Sequence, residues 1–168
     1  MKKFAIGILM FFLAGCATGG ENTKDYSSND LMFAAMMVPH HEQAIVMSDL
    51  ALKNSSSPEV IMLATEIKNA QAPEIEQMKS WGDLEMGSHA GHGMSGMLSD
   101  RELKELESAT GADFDRLFLE GMIKHHEGAI EMAEMVTDSQ NQEVSALAKQ
   151  IIKAQKAEIE LMKELLKP

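Results

Sequence analysis

Residues 39–47 read Pro-His-His-Glu-Gln-Ala-Ile-Val-Met, and residues 124–132 read Lys-His-His-Glu-Gly-Ala-Ile-Glu-Met. The two stretches are copies. His40 and His125 stand 85 residues apart, and at that offset Met37 aligns with Met122, His41 with His126, Ala44 with Ala129, Ile45 with Ile130 and Met47 with Met132. A second match runs at an offset of 84, where "AQAPEIEQMK" (70–79) faces "AQKAEIELMK" (154–163). Apolar residues in all four segments recur at three- and four-residue spacing, the period of a helix with one buried face. A repeat of this size marks one supersecondary unit used twice. The chain therefore reads as a duplicated helical hairpin, each half pairing a His-His helix with an Ala-Gln helix.

Caps and breakers set the boundaries. Ser28-Asn29-Asp30 caps a first helix that runs to about Lys53. The turn "NSSS" (54–57) precedes Pro58, well placed at the first position of a second helix that ends near Trp81-Gly82. Ser99 and Glu102 make a capping box for a short helix that stops before Gly111. A third long helix spans about Ala112 to Thr137, and after "DSQNQ" a fourth runs from about Glu143 to Leu166. Four long helices with short loops inside each half predict an all-α, antiparallel four-helix bundle with one short extra helix.

Composition agrees. The chain has 168 residues, enough for one domain, with only 5% aromatics and 15 methionines. Strand formers are too few for a sandwich. A formal net charge of -11 argues against nucleic acid as a partner, since phosphate binding needs a basic surface.

The N-terminus reads as a targeting segment. Lys2 and Lys3 form a positive region, and Phe4–Leu13 is apolar but too short to span a bilayer as a helix. "LAGC" (13–16) then resembles the bacterial lipoprotein signal. That implies a signal peptide over 1–15, cleavage before Cys16, lipid on Cys16 and a membrane anchor. Ala17, not Asp, follows the cysteine, which favours the outer membrane, facing the periplasm, where two membranes exist. Cys16 is the one cysteine, so a thiolate metal site is not expected and soft-metal chemistry falls to Met and His. Residues 16–28, rich in Gly, Thr, Asn and Ser, read as a flexible tether before the bundle domain, 29–168.

Successive residues of a helix are about 100° apart. On the first and third long helices the inner arc holds Met37 with His41 and Met122 with His126. His40 and His125 then lie on the flank, facing outward, His40 with Met36 and Met47 and His125 with Met132. The second and fourth long helices carry Gln71 and Glu74, and Gln155 and Glu158, inside apolar stripes. Burying such groups without partners costs several kcal/mol. Two readings stay open for this inner polar set. It closes on His41 and His126 as a hydrogen-bond network that fixes register, or it holds a metal. Pro39 and Pro73 fall beside the set in the first hairpin only, so the two halves should differ in local geometry.

Between the halves, residues 86–97 read "MGSHAGHGMSGM". His89, His92, Met86, Met94 and Met97 offer imidazole and thioether on a glycine-rich backbone, a donor set that suits Cu(I). All six histidines of the chain lie in this loop or in the two pairs.

"MMVPHHEQAIVM" (36–47), "AQAPEIEQMKSWG" (70–82), "GADFDRLFLEGMIKHHEGAIEMAEM" (111–135) and "IIKAQKAEIELMK" (151–163) together resemble the secreted, ferritin-like family known as domain of unknown function 305, over about 29–167. The resemblance implies a four-helix bundle in the cell envelope, a link to copper handling in some members, and no general enzymatic activity. The expected function is non-enzymatic copper binding, with Cu(I) favoured, for sequestration, tolerance or handover to copper-handling envelope proteins. One alternative is a structural or partner-binding lipoprotein whose polar core sets register without metal. Another is a di-iron oxidase. It suffers from having no Glu-x-x-His and too few inward carboxylates.

Overall fold

In a computed structural model, residues 25–84 and 94–167 are described. The signal segment, Cys16, most of the tether, His89 and His92 lie outside them. Five helices follow one another: α1 (Ser28–Asn54), α2 (Pro58–Lys79), α3 (Asp100–Ser108), α4 (Gly111–Glu134) and α5 (Gln142–Leu165). Four of the five starts have a side-chain cap, and α4, after Thr110, has none. Ser27 and Asp30 close a capping box on α1, and Ser99 and Glu102 close one on α3. Ser57 accepts from the Val60 amide ahead of α2, whose first residue is Pro58, and Asn141 caps α5. Pro39 and Pro73 both lie inside helices, as the sequence predicts.

α1 pairs with α2, α4 pairs with α5, and α1 packs along α4. The chain is an antiparallel four-helix bundle made of two like hairpins, with α3 set against α1 and α4. The direction of α1 against α4 follows from which residues share a core. Ala44, Met47 and Ala51 cluster with Phe114, Phe118 and Met122, whereas Phe33, Ala34 and Val38 cluster with Met132, Ala133 and Val136. The start of α1 therefore lies at the end of α4.

Those are two separate apolar clusters, and a polar belt divides them. On α2, Val60–Ile67 serve the first cluster and Ile75–Met78 the second. On α5, Val144–Ile151 serve the second and Ile159–Met162 the first. Gln71 and Glu74, with Gln155 and Glu158, fall in the gaps. His40, His41, His125 and His126 supply the belt from the other two helices.

At one end of the bundle, Tyr26 stacks on Trp81 with ring centroids 5.3 Å apart. The Tyr26 hydroxyl donates to Glu143, as do the Trp81 indole and Gln77. Burial, reinforced by the Glu143 carboxylate, pushes the Tyr26 phenol up to about 12. The bundle thus begins ahead of residue 29, because Tyr26 is docked on it. Among the described residues, no helix is long and apolar enough to cross a membrane.

Candidate metal centre

The four helix-borne histidines are all fully buried. For His41 and His126 this is the inward placement predicted by helical spacing. For His40 and His125 it corrects the outward one. A wheel drawn on one helix allows one inner arc, but here α1 and α4 lie side by side and cover each other's flanks. The two outer histidines meet across that seam, with ring centroids 3.7 Å apart. Met47 and Met132 are buried with them, Met37 and Met122 lie in the core, and Met36 is half-buried.

A strap closes the seam from outside. It comprises Met94–Leu98, the described end of the His/Met loop; Met94 and Met97 are half-buried. Gln43 grips it twice, donating to the Leu98 carbonyl at 3.0 Å and accepting from the Leu98 amide at 2.7 Å. Ser95 donates to Glu131 at 2.6 Å. Two glycines let the strap touch α4. A Cβ on Gly128 would sit 2.0 Å from the Ser95 carbonyl oxygen, and one on Gly96 would sit 2.5 Å from the Lys124 carbonyl oxygen. Gly96 also has φ +84°, a left-handed conformation that costs glycine little. Gln43 and Gly128 occupy matching positions in the two copies. Their mismatch is a trace of the strap in the sequence, and it is silent until the strap is seen.

The ring nitrogens carry a common pattern. His40 Nε2 donates to the Ser95 carbonyl at 3.1 Å, and His125 Nε2 donates to the His40 carbonyl at 2.9 Å. His41 Nε2 pairs with Glu74 at 3.0 Å, and His126 Nε2 pairs with Glu158 at 2.6 Å. A carbonyl can only accept, so His40 and His125 must hold their proton on Nε2. Their Nδ1 atoms are then bare lone pairs when the ring is neutral. All four Nδ1 atoms are buried without a hydrogen-bond partner among the described residues.

Burial is the main reason the outer rings stay neutral. It holds His40 down to about 3, with His41 adding to the effect, and it holds His125 well below the ordinary histidine range, with His40 adding. The unfolded chain titrates near 6.5, so below that pH it binds protons that the folded chain refuses. Folding stability should therefore fall on acidification from about pH 6.5, by about 1.4 kcal/mol per pH unit for each of these histidines. Urea unfolding between pH 6.5 and 5, above the carboxylate range, measures the slope. A flat profile there would contradict the buried neutral pair.

Gln71 is buried with neither amide atom bonded among the described residues, and Gln155 has a bare carbonyl oxygen. A buried polar group without a partner costs about 1–3 kcal/mol. Gln71→Leu is expected to stabilise the metal-free bundle by about that amount in chemical denaturation. A loss of stability would show that the amide has a partner.

A metal-bound imidazole commonly donates its other N–H to a carbonyl or carboxylate, which fixes the ring and the tautomer. The four histidines have that outer shell already, with Nδ1 left for a ligand role. Among the described residues, no three His, Cys, Asp or Glu side chains gather into a metal site by themselves. A hard metal wanting nitrogen and oxygen finds no ready cage here. A soft one that also takes thioether finds methionine one or two turns from each outer histidine. The donor chemistry therefore fits Cu(I).

The sequence profile of the family described as domain of unknown function (DUF305) matches residues 30–166. The chain belongs to the DUF305 family. Three solved structures of similar proteins bear on this DUF305 bundle. A DUF305 protein from Streptomyces coelicolor, described as a candidate secreted protein, is 33% identical, covers 83% of this chain and 92% of its own, and superposes with a TM-score of 0.77. CopM in its Cu(II)-bound form is 38% identical, covers 81% and 94%, and gives 0.70. CopM in its Cu(I)-bound form is 34% identical, covers 84% and 96%, and gives 0.67. No protein with curated annotation matches the chain.

Proposed function

We propose that this DUF305 protein is a non-enzymatic, lipid-anchored protein of the cell envelope that binds Cu(I) for sequestration or handover. The observation that carries the reading is the shared state of the four bundle histidines. Each has Nε2 committed to a carbonyl or carboxylate and Nδ1 without a hydrogen-bond partner among the described residues, and the His40 and His125 rings meet with centroids 3.7 Å apart. Similarity to CopM, solved in Cu(I)- and Cu(II)-bound forms, supports the metal. His40 and His125, with Met36, Met47 and Met132, would hold the ion in the seam. His41 and His126, with Met37 and Met122, line the core on its inner side. The loop residues Met94 and Met97, with His89 and His92, would add a second soft-ligand set.

The location rests on the lipoprotein-like "LAGC" ending at Cys16, which would place the bundle at a membrane surface, on the outer membrane where there are two. Competition for Cu(I) against a chromophoric chelator tests the function. Affinity tighter than micromolar is expected. Anything weaker would leave the histidines as a register-setting network.

A further inference from the structure

The two ends of the His40/His125 seam are related by the repeat, yet they differ. Seven residues beyond each histidine stands a methionine, Met47 at one end and Met132 at the other. At the Met47 end the way out is shut. A Cβ on Gly121 would lie 3.4 Å from the Met47 methyl and 3.2 Å from Leu98, so the strap's leucine plugs the gap that the glycine leaves. The repeat puts Met36 where the other copy has Gly121. The Met132 end therefore carries an extra thioether in place of a plug.

That end leads to the surface. Along α1, Met32, Met36 and His40 recur every four residues, one stripe on one side of the helix. Their exposure falls inward: Met32 is 51% exposed, Met36 half-buried and His40 fully buried. Along α4 and its C-terminal cap, Gly121, Gly128 and Met135 recur every seven residues, and the first two face the strap. Met135 continues that line and is 56% exposed, with Met132, 6% exposed, between it and His125. The antiparallel register brings Met32 and Met36 opposite this stretch of α4. The strap runs the same way from Leu98 at Gly121 to Ser95 at Gly128 and Glu131, and there it turns, the Met97 amide donating to the Met94 carbonyl at 3.2 Å.

We propose that Met32, Met36, Met132 and Met135 form a thioether mouth that captures Cu(I) at the surface and passes it inward to the His40/His125 pair. The inference rests on the copper reading. Cu(I) accepts few, soft ligands, so it moves by exchanging one thioether at a time without shedding all of them. Two exposed methionines on adjoining helices supply the outer step, and Met36 and Met132 the inner one. No redox change is involved.

The test uses the full chain and Cu(I) presented in a chromophoric chelator complex. Stopped-flow absorbance reads the transfer rate, and the endpoint reads affinity. The Met32→Leu/Met135→Leu variant changes two exposed side chains with little change of volume, so the fold is kept. Its transfer rate should fall at least about tenfold, within the range that local changes impose on association rates. Its endpoint affinity should stay within about twofold of the parent, a difference small against the tenfold that 1.4 kcal/mol represents. Met62→Leu, an exposed methionine of α2 away from the mouth, should change neither. An unchanged rate in the double variant would overturn the mouth while leaving copper binding intact. A parallel loss of endpoint affinity would also overturn it, by making these thioethers ligands of the resting site. A parent chain that takes up no Cu(I) would overturn the copper reading first and the mouth with it.

Discussion

Replacing His40 and His125 together with alanine is expected to weaken Cu(I) binding at the bundle by more than about 100-fold, the upper end of what losing even the groups that orient a ligand costs. The two rings meet at a tilt of 40° with centroids 3.7 Å apart and neither Nδ1 bonded among the described residues, and Met36, Met47 and Met132 lie within two helical turns of them. Removing one ring leaves a soft ion with thioether partners and one imidazole. Removing both leaves thioether in the seam, with the nearest imidazoles those of His41 and His126 on its inner side. The change also strips the Ser95 and His40 carbonyls of their donors, at about 1–3 kcal/mol each where they stay buried. The His40→Gln/His125→Gln variant refills the space and keeps a hydrogen-bond donor, so it separates lost ligation from lost packing. Both variants should lose the tight site in chelator competition, and only the alanine pair should lose much stability. A glutamine pair that keeps parental affinity would move the site elsewhere.

Phe118→Ala should cost about 3–5 kcal/mol of folding stability. Phe118 is fully buried on α4 and stacks with Phe114 at a centroid distance of 6.0 Å. It belongs to the cluster where the end of α1, with Met47 and Ala51, meets the start of α4. The belt of histidine, glutamine and glutamate separates this cluster from the other, with Ile152 packed against both, so little apolar material can shift through the middle to fill a cavity. The loss should appear as a lower denaturation midpoint with an unchanged slope. Copper affinity should change far less than stability, because Phe118 lies nearly two helical turns from His125 and touches the other side of the belt. A cost under about 1 kcal/mol would mean that this half of the core is loosely packed.

The repeat made the fold legible before any coordinates. Matching residues at a fixed offset imply matching hairpins, and Ser57-Pro58 and the Ser99/Glu102 box mark helix starts by chemistry that acts within one turn. Gln71, Glu74, Gln155 and Glu158 were legible as polar groups in apolar stripes for the same reason, and Glu74 and Glu158 do meet His41 and His126. The side on which His40 lies was not legible. Helical periodicity gives the direction of one buried arc, but a helix in a bundle has two neighbours, and which neighbour covers which flank is a long-range fact. The strap was hidden for a related reason. Ser95 reaches Gly128, and Leu98 reaches Gln43, by backbone contacts between segments distant in sequence. No local signature announces such docking. Tyr26 is hidden in the same way: it is polar enough for a linker, yet it finds partners at Trp81 and Glu143, far along the chain.

The central claim is that the outer histidines present neutral Nδ1 to a soft ion while Nε2–H stays bound to a carbonyl. Long-range proton–nitrogen NMR of the histidine rings during a titration with Ag(I), a redox-inert relative of Cu(I), tests it directly. In the metal-free protein, His40 and His125 should show a protonated Nε2 and a bare Nδ1. On adding Ag(I), the Nδ1 signals of both should move together while the Nε2 protons remain. Nδ1 signals that stay in place while the protein binds Ag(I), or a proton found on Nδ1 before metal is added, would contradict it.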